Sequence, residues 1–74
     1  MTEPSPKVIH ETLVTHFSLE ELRVLCFQLN IEYENLEGSN KSGKALALVK
    51  YAQRHNRYTD LVNAIRQERP HLNL

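Results

Sequence analysis

The sequence predicts an all-α fold, a compact antiparallel helical bundle of four main helices plus one short helical turn, and three observations lead there. Apolar residues recur at three- and four-residue steps from Ile9 to Ile65, the spacing that gives each helix one buried face. Residues that start and stop helices sit between these runs. Strand-like alternation occurs only at Ile31–Glu37, and a lone strand with no partner leaves its backbone groups unpaired.

Ser5 followed by Pro6 opens the first helix as N-cap and first helical position. Ile9, Leu13 and Phe17 then step by four along one face, Lys7, His10 and Glu11 lie off it, and the helix ends near His16. Ser18 and Glu21 make a capping box, with Phe17 and Leu22 placed as a hydrophobic staple. The second helix runs to about Leu29, burying Leu22, Leu25, Cys26 and Leu29, with Asn30 as its stop. Val24 and Phe27 fall off that face. Two readings stay open for them: further core of a central helix, or an exposed apolar contact patch.

Ile31–Glu37 is expected to form a short helical turn, and Gly38–Gly43 a loop. Ala45, Leu48, Val49 and Ala52, flanked by Leu46, define the core face of a helix from about Ser42 to His55, closed by Asn56. The last helix is expected to be capped by Thr59, to bury Leu61, Val62 and Ile65 with Ala64 at the edge, and to stop before Pro70. Residues 1–5 then form a flexible N-terminal segment, 6–70 the domain, and 71–74 a tail or the start of a linker.

Composition narrows the function. A domain of 74 residues buries only about 60% of its unfolded surface, leaving little room for an enclosed active site. Zero formal net charge argues against a general nucleic-acid binder and against a polybasic membrane-surface module. No apolar run approaches a membrane span. The single Cys26 and the polar start Met1–Pro6 read as cytoplasmic.

Chemistry-bearing motifs are scarce. Gly38–Ala45 nearly spells a phosphate-binding loop, but Ala45 replaces the metal-binding hydroxyl and no buried strand precedes it. It reads as an inter-helix loop, offering at most a weak anion contact through Lys44 and the helix N-terminus. His10 and His16 are separated by about 120° around a helix, and with His55 and His71 they read as surface residues. Cys26 reads as a core thiol. Ser18, Ser39 and Ser42 have capping or turn roles and no base to activate them. No catalytic residue, metal ligand, cofactor or small-molecule substrate is therefore expected.

Charge distribution is the more informative feature. Residues Met1–Glu37 carry seven acids and two bases, whereas Gly38–Leu74 carry seven bases and two acids. An acidic face is expected from Glu20, Glu21, Glu32, Glu34 and Glu37, and a basic one from Lys41, Lys44, Lys50, Arg54 and Arg57. Complementary patches of this kind suit head-to-tail contact between identical or related domains. The alternative is a small helical nucleic-acid binder using Lys41, Lys44, Lys50 and Arg54 on a groove-reading helix, against which stands the acidic first half.

Phe17-Ser-Leu-Glu-Glu-Leu-Arg-Val-Leu-Cys-Phe-Gln-Leu, followed by Tyr33-Glu-Asn-Leu and Gly38, then Lys41-Ser-Gly-Lys-Ala, Leu48-Val49, Tyr51, Arg57 and Asp60-Leu61, resembles the bacterial Death-like domains, also called effector-associated domains. It is more distantly similar to death-effector domains. The resemblance spans roughly residues 7–70 and implies a Death-fold bundle that does no chemistry itself. It further implies an adaptor, fused to or recruiting peptidases, signalling ATPases or other effectors of conflict and immune systems by like-to-like binding. The expected partner is another Death-like domain, self or cognate. No sixth helix is evident after Pro70.

Overall fold

The computed structural model describes residues 3–72 and 74, in which the chain forms α1 (Pro6–His16), α2 (Leu19–Gln28), a 3-10 turn (Tyr33–Asn35), α3 (Lys41–Arg54) and α4 (Tyr58–Glu68). Among the described residues there is no strand, so Ile31–Glu37 resolves as the short helical turn. Helix α3 packs against α1, α2 and α4. Leu48 and Ala52 on it are fully enclosed, as are Ile9, Leu13, Leu25, Leu61 and Ile65 from the other helices. Among the described residues no polar or charged side chain is buried.

The helix ends follow local chemistry. The Ser5 hydroxyl accepts from the Val8 N–H at 3.3 Å, and Ser18 and Glu21 exchange both bonds of the capping box, at 3.1 and 2.9 Å. Helix α2 closes through Asn30 at φ 60°, where the Ile31 N–H reaches the Cys26 carbonyl at 2.8 Å and the Asn30 N–H the Phe27 carbonyl. Helix α3 closes the same way through Asn56 at φ 58°, with Arg57 N–H donating to the Ala52 carbonyl at 2.6 Å. Both are Schellman closures, in which asparagine tolerates the left-handed conformation.

Two helix starts differ from the expected ones, and α2 and α3 each end one residue earlier, at Gln28 and Arg54. Helix α3 starts at Lys41, one residue before the expected Ser42, because the Asn40 carboxamide oxygen accepts from the Gly43 N–H at 2.8 Å and caps the helix there. Helix α4 starts at Tyr58 after Arg57, with no side-chain cap. The Arg57 N–H is already held by α3's closure, so the chain turns directly into α4 and Thr59 lies inside its first turn.

Pro4 and Leu74, near the two ends of the sequence, also contact the helices. The Pro4 carbonyl accepts a hydrogen bond from the Tyr58 hydroxyl. Leu74 packs against the core, and its carbonyl accepts from Arg66 Nε at 3.2 Å. Met1, Thr2 and Asn73, which belong to the expected N-terminal segment and tail, lie outside the described residues.

Candidate interaction surface

Single exposed apolar side chains occur at Val8 on α1 and Leu46 on α3, but the outer face of α2 carries the most exposed one. Val24 is 47% and Phe27 85% exposed, which decides between the two readings: both are surface, not core. Their spacing from Glu20 sets the three along one stripe. The other aromatic rings are all packed: Phe17 is buried, while Tyr33, Tyr51 and Tyr58 lie against the core. Phe27, Arg23, Glu32, Tyr33 and Glu34 line one open depression, so the helix face and the 3-10 turn form a continuous surface. Glu20, Glu32 and Glu34 are exposed there.

Other members of the two charged sets are committed internally. Lys44 Nζ donates to the Leu36 carbonyl at 2.8 Å and the Tyr33 carbonyl at 3.3 Å, and lies 4.6 Å from the Tyr33 ring centroid. Arg23 sits 5.0 Å from the same ring, so the ring is flanked by two cations. Lys44 thus clamps the 3-10 turn onto α3. Lys44→Met keeps the stem but leaves both carbonyls without their charged donor; we expect a loss of about 1–2 kcal/mol in urea unfolding, with the salt dependence of association unaltered.

Glu21 belongs to the same internal class. Its carboxylate completes the α2 capping box and pairs with Arg69. Arg69 also donates to the His16 carbonyl at 3.2 Å and lies over the Phe17 ring, joining the end of α4 to the α1–α2 junction. The Arg69 guanidinium above all, and then the Ser18 backbone N–H, hold the Glu21 carboxyl below the ordinary glutamate range. A carboxyl depressed in the folded state stabilises above its unfolded pKa, and that contribution disappears as pH falls through the folded value. Glu21→Gln, which preserves the capping box, should therefore be less stable than wild type near neutrality and converge with it in acid. Urea unfolding across that pH range checks this.

Arg57 pairs with Asp60 at 3.5 Å. Lys41 is half-buried at the α3 start. Lys50 and Arg54 are exposed on α3 and form no ion pair among the described residues. They line a depression of about 130 Å³ together with Leu36, Glu37, Ala47 and Tyr51. Glu37 therefore sits beside the cations instead of with Glu32 and Glu34. The Ala47–Tyr51 pair was readable as a four-residue step next to Lys50 and Arg54, whereas no local pattern announced Leu36 as its other wall.

The Gly38–Ala45 stretch is explained by packing. A Cβ on Gly38, at φ +95°, would stand 2.8 Å from the Gly43 carbonyl carbon. The Asn40 cap takes the Gly43 amide and Lys44 serves the 3-10 turn, so the lysine and one amide of the helix end that suggested an anion contact have partners. Cys26 is buried in the core, and burial raises its thiol pKa to about 11. Among the described residues, no His, Cys, Asp and Glu group is arranged to hold a metal, and no helix is long and apolar enough to cross a membrane.

Residues 9–70 match the family model described as effector-associated domain 7. No curated protein and no solved structure matches the chain. The resemblance carried by the Phe17–Gly38 stretch and the residues after it meets an independent match over nearly the same span: the chain belongs to the effector-associated domain 7 family.

Proposed function

We propose that this domain performs no chemistry and acts as an adaptor. It associates with another domain of its class, its own or a related one, and so couples an effector into a bacterial conflict or immune signalling system in the cytoplasm. One observation supports this above the rest: Phe27, 85% exposed on a regular helix, in a domain whose other aromatic rings are packed. An exposed aromatic beside polar side chains has the composition of an interface centre with its rim. The nearby carboxylates and the separate Lys50–Arg54 pair give the surface charge on which orientation can depend.

Titration calorimetry of the chain against a related effector-associated domain, at low and physiological salt, tests the reading. Binding is expected in the micromolar range, weaker as salt rises, and weaker when Lys50, Arg54 and Arg57 are reversed in charge. If the chain bound neither a related domain nor itself, the adaptor reading would fall. If it bound duplex DNA with a steep salt dependence instead, the nucleic-acid alternative would replace it.

A further inference from the structure

We infer that the partner of the α2 surface is a second copy of this chain, engaged head to tail: Phe27 of one copy seats in the depression between the 3-10 turn and α3 of the next. This inference rests on the adaptor reading and adds to it a partner and a geometry. Three observations carry it.

The two surfaces are chemically complementary. Around Phe27, two carboxylates, Glu32 and Glu34, accompany one guanidinium, Arg23, which is already stacked on Tyr33. Around the depression, two cations, Lys50 and Arg54, accompany one carboxylate, Glu37. Both cations are exposed and form no ion pair among the described residues. The depression also has the apolar lining an aromatic ring needs, supplied by Leu36, Ala47 and Tyr51.

The two surfaces share no residue. They adjoin at Glu34 and Asn35 of the 3-10 turn, and a heterologous contact in which one copy uses both extends into an open chain or closes into a ring. A symmetric contact of Phe27 on Phe27 would instead bring Glu32 and Glu34 of both copies together, where like charges oppose it. Charge complementarity thus favours the pairing of Phe27 with the depression over a Phe27-on-Phe27 dimer, and growth in mass beyond a dimer separates the head-to-tail chain from a reciprocal pair.

A mixing experiment separates these arrangements. Phe27→Asp removes the ring and adds repulsion to the acidic side, and the double variant Lys50→Glu, Arg54→Glu inverts the depression; all three positions are exposed. Circular dichroism melts should match wild type for both. In sedimentation velocity at low salt, wild type should grow in mass with concentration. Each variant alone should associate at least about tenfold more weakly. An equimolar mixture should form a heterodimer and nothing larger, because each variant retains the surface that the other lacks.

A mixture that stays monomeric while wild type associates would overturn the pairing of Phe27 with the depression, and a double variant that associates alone as strongly as wild type would overturn it in favour of a symmetric Phe27 contact. Unchanged association of Phe27→Asp would overturn the role of Phe27. A wild-type chain that stays monomeric yet binds a related domain would overturn the second copy as partner and leave the adaptor reading standing. Failure to bind either would remove both.

Discussion

Gly38→Ala is expected to lower the unfolding free energy by about 2–4 kcal/mol, a large part of the roughly 4–11 kcal/mol that a domain of this length possesses. Two costs combine. At φ +95° an alanine is strained by about 1–3 kcal/mol. Its Cβ would also stand 2.8 Å from the backbone of Gly43, and backbone cannot move aside as a flexible side chain can. Relief requires the 38–43 loop to lift off the start of α3, which loosens the 3-10 turn that Lys44 holds there. Thermal and urea unfolding should both register the loss. A change within about 0.5 kcal/mol, the range of ordinary surface substitutions, would show that the loop has no need of glycine.

Leu48→Ala should be of similar or greater size, about 3–4 kcal/mol. Leu48 is fully enclosed on the helix that packs against the other three, so the space left by its removal is walled by several elements. Leu46, two residues earlier on the same helix, is 44% exposed. Truncating it should cost well under 1 kcal/mol, since little apolar area returns to water. Equal losses at the two positions would contradict the packing described for α3.

The fold was largely legible because its signals are local. The capping box at Ser18 and Glu21, Pro6 after Ser5, and the two asparagines that end α2 and α3 each act within a few residues of themselves. The α4 start was not legible in that way. Its position depends on the Arg57 N–H being held by α3's closure, so a nearby threonine in a suitable place carried no weight.

The interaction residues were legible as a population but not one by one. A count of charges separates the acidic and basic halves of the chain, yet it cannot tell Lys44, spent on two carbonyls eight and eleven residues back, from Lys50, which faces solvent. Nor can it tell Glu21, tied to Arg69 forty-eight residues away, from Glu32 and Glu34. Val24 and Phe27 were ambiguous for a related reason. Whether the second side of an apolar helix is buried depends on what the remaining helices cover, and here they leave Phe27 85% exposed.

The charged residues that hold the domain together, Glu21, Lys44 and Arg69, are not the ones available for association. Backbone amide spectra of the nitrogen-labelled chain, recorded as its own concentration is raised at low salt, test it most directly. Two separate clusters of shifts are predicted, one around Val24, Phe27, Glu32 and Glu34 and the other around Lys50 and Arg54, with the amides of Leu13, Leu48 and Leu61 unmoved. Shifts spread through those core amides, or confined to α1, would show that association does not use these two surfaces.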